Sequence, residues 1–376
     1  MTGQDTTTTE STSLSRAVGG PLLLLFVLGD VLGAGIYTLV GEVAGRAGNA
    51  LWLALAVALG LALLTAASYV ELVTRFPRAG GAALFAHRAY RSDLVSFLVG
   101  WCGIAAGVTS VAGLAVAFAG DYLAALVDIP PLPVALAFLL AVALLNARGI
   151  RESMRANLVM TLIEAAGLVF IVLLGVLVIT RGDAEPARLT DIPGDGVGGT
   201  VAALAAAAAL AFYSFVGFET SANLAEETVN PRRNFPRALI GGVLLAGVLY
   251  VAVGLVVSLT VPLETLVGST GPLLEVVRVA DIGVPLGVFS LIALVAVANG
   301  ALLTGIYASR LTYGMARDGL LPSVFGRVLP GRRTPWVAIV ATIALSMVLA
   351  TTGGLACWPR RSCSCCSSPS PAPTSP

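Results

Sequence analysis

The chain has 376 residues, 57% hydrophobic and 11% charged, with a formal net charge of +1 and a mean hydropathy of +0.92. Soluble domains carry about 25% charged residues, so these values exclude one and indicate an integral membrane protein. A charge this close to neutral also excludes a basic surface for nucleic acid.

Residues 1–18 are rich in Thr and Ser and lack a basic start. They predict a disordered cytoplasmic tail rather than a signal peptide. The first span, 21–44, carries Asp30 and then Gly33-Ala34-Gly35-Ile36 in its middle. Glycine weakens a helix, and backbone groups freed within lipid must find partners. The segment therefore predicts either a helix break that serves a solute or ion, or close packing through small residues.

Eight further apolar stretches follow, at 48–70, 94–120, 133–147, 156–180, 200–225, 238–261, 284–308 and 335–352. The loops between spans 2–3, 4–5, 6–7 and 8–9 hold most of the arginines: Arg75, Arg78, Arg88 and Arg91; Arg148, Arg151 and Arg155; Arg232, Arg233 and Arg237; Arg310, Arg317, Arg327, Arg332 and Arg333. Arg46, Arg181, Arg188 and Arg278 fall on the other side. The alternation places the arginine-rich loops and the N-terminus in the cytoplasm, as expected of a multi-pass protein of the plasma (inner) membrane.

Span 6 carries Tyr213, Ser214, Phe215, Gly217 and Glu219 in mid-membrane. If five helices form one unit, spans 1 and 6 open two units of opposite direction. Glycine-interrupted helices at matching positions of inverted halves point to a site between them. Cys102 reads as a buried, inert thiol in span 3. Residues 357–376 are dominated by Cys, Ser and Pro. They fit no zinc spacing and are expected to be an aberrant tail, as from a shifted reading frame.

Five motifs, in this order, resemble an amino acid permease of the amino acid–polyamine–organocation superfamily. They are Gly33-Ala34-Gly35-Ile36; Ser68 to Leu72 with Pro77 to Gly81; Asn146 to Arg151 with Ser153 and Asn157; Phe212 to Pro231; and Ser309 to Leu311 with Met315 to Pro322 and Thr334-Pro335. The resemblance covers about residues 20–353. It implies an all-α integral membrane protein with the leucine-transporter-type inverted-repeat bundle. One repeat spans about 20–180 and a partial one about 200–353, giving about nine helices with the second repeat incomplete.

That fold implies a secondary transporter of amino acids, coupled to protons or working by exchange. The alternative is a C-terminally truncated fragment that does not transport. No cofactor or metal is expected, and no enzyme, since hydrolase and nucleotide-loop motifs are missing from the sequence. The partners expected are an amino acid, protons and the bilayer; the sequence leaves the oligomeric state open.

A zwitterionic substrate needs N–H donors for its carboxylate and acceptors for its ammonium. The helix restarting after Gly33, Ala34, Gly35 and Ile36 provides donors. Carbonyls near Asp30 and near Tyr213, Ser214 and Phe215 are the candidate acceptors, with Gly217 at the second break and Asn299 in span 8 as a further polar contact. Asp30, Glu164 and Glu219 are carboxyl groups inside apolar spans. Ionisable groups at that depth are functional by default, which makes all three candidates for proton coupling, Glu219 first.

Overall fold

The computed structural model describes residues 17–119, 123, 129–190, 196–269, 272–283 and 286–352. Residues 1–16 and the expected tail at 357–376 lie outside the described residues. The described chain is helical, with one isolated bridge, Val18 to Thr228.

The elements are α1 (Gly20–Leu32), α2 (Ala34–Ala47), α3 (Leu51–Arg75), α4 (Gly81–Tyr90), α5 (Asp93–Ala117), α6 (Pro131–Arg148), α7 (Ile150–Arg181), α8 (Gly196–Tyr213), α9 (Pro231–Thr260), α10 (Leu263–Gly268), α11 (Pro272–Ala280), α12 (Leu286–Arg317) and α13 (Trp336–Thr351). A 3-10 helix, Phe218–Leu224, continues from α8. Among the described residues, eight helical stretches are long and apolar enough to cross a membrane, and α13 is a shorter apolar helix.

Local chemistry sets many of these ends. Proline occupies the first turn of α1, α6 and α9, where its missing N–H costs nothing. The Ser92 side chain caps α5 by accepting from Val95 N, with Asp93 in the first turn, as expected of an N-cap. Gly182 ends α7 in the left-handed region.

The packing follows the inverted repeat. The broken pair α1–α2 lies against α8 and its 3-10 extension; α3 lies against α9, α5 against α12, and α6 against α13. Four spans of the first unit therefore each touch the matching span of the second, while α7 packs on α1, α9 and α12. Facing helices come close because small residues line the seams. A Cβ on Gly254 of α9 would sit 2.8 Å from Leu55, and one on Gly107 of α5 would sit 3.1 Å from Ala308.

Several sequence expectations need correction. Span 8 was expected to end near residue 308, but α12 runs to Arg317, so Arg310 and Arg317 are helical rather than in a loop. The expected tail 1–18 ends sooner: Val18 is fully buried, its N–H donates to the Glu227 carbonyl at 3.0 Å, and its carbonyl accepts from Val229 N at 2.9 Å. Cys102 is exposed, not buried, because the face of α5 that carries it points away from the bundle. The 2–3 loop contains a helix, α4, whose apolar face packs on α5.

Arg310 is the largest fully buried side chain among the described residues. Its Nε donates to Glu227 Oε2 at 2.6 Å, its Nη2 to Glu227 Oε1 at 3.2 Å, and its Nη1 to Asn146 Oδ1 at 3.4 Å. This fork ties α12 to α6 and to the segment that follows the 3-10 helix. Beside it, Arg317 donates to Glu226 at 2.8 Å. Arg232 and Arg233, which lie nearer to these glutamates in sequence, are exposed.

Removing one partner of a buried pair leaves an uncompensated charge. Arg310→Met should lower stability by about 3–5 kcal/mol, and adding Glu227→Met should restore most of it. Denaturant titration in mild detergent tests this, and equal stability of parent and single variant would refute the buried pair.

Candidate functional site

Two helix interruptions meet at the centre of the bundle. α1 stops at Leu32, Gly33 adopts φ −36° and ψ −162°, and α2 restarts at Ala34 with no side-chain cap. α8 stops at Tyr213, a tight turn covers 214–217, and the 3-10 helix starts after Gly217 at φ 141°. That φ lies in the region open to glycine but strained for other residues. A Cβ on Gly217 would sit 2.9 Å from the Asp30 carbonyl oxygen, and one on Gly35 would sit 3.1 Å from Ser214 Cα. The backbones thus touch at both breaks.

Backbone groups released by the breaks find specific partners, as a low-dielectric site requires. The buried Tyr250 hydroxyl of α9 donates to the Val31 carbonyl. The Thr220 hydroxyl donates to the Asp30 carboxylate. Gly217 N donates to Glu219 Oε2 at 2.9 Å. Phe215 is fully buried and meets the Tyr250 ring edge-on, with centroids 5.2 Å apart. Tyr69 of α3 meets Phe218 in the same way at 6.1 Å.

A polar cluster lies one turn before the first break. Asn157, Thr161 and Glu164 follow helical spacing on one face of α7 and are buried, as is Asn299 of α12. Thr161 donates to Asn157 Oδ1 at 2.9 Å, and Asn299 Nδ2 donates to Thr161 at 3.2 Å. All of this closes on Gly29, where a Cβ would collide with Thr161, Asn157 and Asn299. Among the described residues, both carboxyl oxygens of Glu164, Asn299 Oδ1 and Asn157 Nδ2 have no hydrogen-bond partner of ordinary geometry, and Asn299 is the side chain that interacts with Glu164. Asp30 interacts electrostatically with both Glu219 and Glu164. None of the three forms an ion pair among the described residues.

The structure gathers most of the expected site residues. Gly33 forms the first break, and Ala34, Gly35 and Ile36 open α2 after it; Ser214, Phe215 and Gly217 lie in the second; Asp30 and Glu219 adjoin the breaks; Glu164 and Asn299 lie in the adjoining cluster. Tyr213 lies elsewhere: it is 67% exposed, because the last turn of α8 points its side chain outward. Gly35 faces the Ser214 backbone, so its missing Cβ permits helix contact at that point.

Sequence reasoning missed Tyr250, Thr220 and Thr161 as partners of the breaks. The signals were present: a lone tyrosine in the apolar run of α9, and hydroxyl residues one position from Glu219 and three from Glu164.

A family model described as amino acid permease matches residues 22–357. The branched-chain amino acid permease BcaP of Bacillus subtilis (strain 168) is 30% identical over 346 residues, a match covering 87% of this chain and 72% of that protein. The methylthioribose transporter of the same organism is 30% identical over 350 residues, covering 87% and 73%. Cationic amino acid transporter 9, chloroplastic, of Arabidopsis thaliana is 32% identical over 346 residues, covering 86% and 59%. Among solved structures, an outward-open, substrate-bound Na+-coupled sialic acid symporter aligns with a TM-score of 0.64 at 13% identity, over 93% of this chain and 78% of that one. MhsT in complex with L-phenylalanine aligns with a TM-score of 0.62 at 15% identity, over 90% and 79%. These two likenesses show the leucine-transporter-type fold.

Gly217→Ala places a Cβ against the Asp30 carbonyl at a strained φ and should cost about 1–3 kcal/mol. The control Gly113→Ala, within α5 and with open space around its Cα, should be neutral or stabilising by up to about 1 kcal/mol. Thermal unfolding in detergent separates the two, and indistinguishable midpoints would count against the contact between the breaks.

Proposed function

Because the chain belongs to the amino acid permease family of the amino acid–polyamine–organocation superfamily, we propose that it carries amino acids across the plasma membrane as a secondary transporter. The observation that carries this reading is the meeting of two interrupted helices beside three carboxyl groups with no ion-pair partner among the described residues. Such breaks supply N–H donors from α2 and carbonyl acceptors from α1 and the 214–217 turn. These are the two halves of what a zwitterion needs. Asp30 and Glu219 lie beside the two breaks and are the carboxyl groups nearest to where an ammonium group would lie in this reading. In this reading Gly33, Ala34, Gly35, Ile36, Ser214, Phe215, Gly217 and Asn299 shape or adjoin the substrate position. The arginine-rich loops support a cytoplasmic N-terminus, and the two units correspond to about 20–180 and about 200–353.

In this reading net uptake is coupled to protons, with Glu164 rather than Glu219 as the coupling group. Glu219 already accepts a hydrogen bond from Gly217 N. Glu164 is fully buried, and neither oxygen has a partner of ordinary geometry. Among the described residues, Asn299 is the one side chain that offers Glu164 a hydrogen bond, and a buried carboxylate without a cation is costly. A protonated carboxyl gains a donor, and Asn299 Oδ1 is an acceptor without one. Loading and release of a proton at Glu164 would therefore alter the cluster that holds Gly29 at the root of the broken helix.

The test is uptake of radiolabelled L-leucine and L-arginine by the chain in proteoliposomes, with and without an inward proton gradient. Uptake should rise as external pH falls. Glu164→Gln should flatten that dependence while retaining exchange of substrate for substrate, and Glu219→Gln should keep the parental profile. Failure of the chain to bind or move any amino acid would sink the transport reading. A parental pH profile in Glu164→Gln would sink only the coupling assignment.

A further inference from the structure

The junction between α6 and α7 holds a cavity of about 280 Å3. Arg148, Arg151 and Arg332 line it together with Glu152, and Gly149 and Gly331 leave its backbone walls bare. All three guanidinium groups are exposed, and none has an ion-pair partner among the described residues. Arg332 comes from the loop before α13, so two separate parts of the chain converge their charge on one concavity. The 32-residue helix α7 also starts here, at Ile150, without a side-chain cap. Its first-turn carboxylate, Glu152, bends back, with Oε2 2.9 Å from where a Cβ on Gly149 would lie. Glu152 is thus the anion already resident at the edge of the cavity.

A second feature adjoins the first. On α6, Leu144 and Leu140 continue the face of Arg148 at four-residue spacing and are 58% and 52% exposed. On α7, Val159 follows Arg151 and Arg155 at the same spacing and is 58% exposed. An apolar track therefore runs along α6 from the cavity toward the middle of the span, where acyl chains lie in a bilayer, with Arg155 and then Val159 beside it on α7.

We propose that this cavity binds the phosphate headgroup of an anionic membrane phospholipid, with its acyl chains along the α6–α7 face. Arginine forks match phosphate oxygens two at a time. Basic pockets at the membrane surface hold anionic headgroups by this chemistry. A free phosphate ion would use the arginines but not the apolar track. Glu152 opposes either anion, so neutralising it should tighten binding.

The experiment places the full chain in phosphatidylcholine bilayers doped with phosphatidylglycerol and reads the lipid retained per protein by native mass spectrometry. The variant Arg148→Gln/Arg151→Gln/Arg332→Gln should weaken phosphatidylglycerol binding about fivefold for each arginine removed. Glu152→Gln should strengthen it by a similar factor. The variant Arg232→Gln/Arg233→Gln/Arg237→Gln removes equal charge from exposed positions outside the cavity and should leave binding unchanged. Inorganic phosphate alone should not displace the lipid. All these side chains are exposed, and an unchanged helical signal checks that each variant folds. Equal loss in the two triple variants, no loss in the first, no gain in Glu152→Gln, or displacement by inorganic phosphate would each overturn the proposal.

Discussion

A helix that stops inside a bilayer exposes peptide groups that lipid cannot satisfy, each at a cost of several kcal/mol. This chain stops two helices at one depth, and much of its interior is arranged around that fact. Tyr250 takes the Val31 carbonyl, Thr220 takes the Asp30 side chain, and Glu219 takes the Gly217 N–H. The partners come from α9, from the 3-10 helix and from the interrupted segment itself. The breaks are stable because they lie back to back, with bare glycine backbone at Gly35 and Gly217 allowing contact. A continuous helix at either position would leave the other with nothing to touch.

The rest of the bundle holds that pair in register. α9 packs on both α1 and α3, and α12 packs on α5 and α7. The buried charged contacts lie at the arginine-rich end, where the Arg310–Glu227 fork and the Arg317–Glu226 pair join α12 to the segment after the 3-10 helix; the Arg188–Glu185 and Arg278–Glu275 pairs lie on the other side, each within three residues of sequence. At mid-depth the polar groups are carboxyls, amides and hydroxyls without a basic partner. The architecture thus separates a charge-locked end from a carboxyl-lined centre.

The apolar spans, the two breaks and the chain's family were legible because they rest on local signals. These are apolar length, glycine beside charge, and arginine alternation. The Glu71–Arg75 pair at 2.6 Å is of the same local kind, its partners one helical turn apart. What stayed hidden depends on which helix lies opposite. Arg310 looked like a loop cation because an arginine normally ends an apolar run; the distant Glu227 and Asn146 make its burial tolerable. Tyr213 and Phe215 are two residues apart and looked alike, yet the tight turn sends one outward and one into the core. Tyr250 took on meaning only once the Val31 carbonyl had been released next to it.

The bridge at Val18 has a mechanical consequence. Its two backbone hydrogen bonds fasten the entry of α1 to residues 227–229, and the side chain of Glu227 grips Arg310. The outer ends of both interrupted helices are therefore leashed to a single hub. Each backbone bond contributes about 1 kcal/mol net, so thermal fluctuation can open the leash, whereas the buried ionic fork is much harder to part. Small displacements of residue 18 will travel with the hub, and large ones will detach from it. A spectroscopic reporter placed there would act as a strain gauge for that end of the molecule, reading motion faithfully up to the point where the bridge slips.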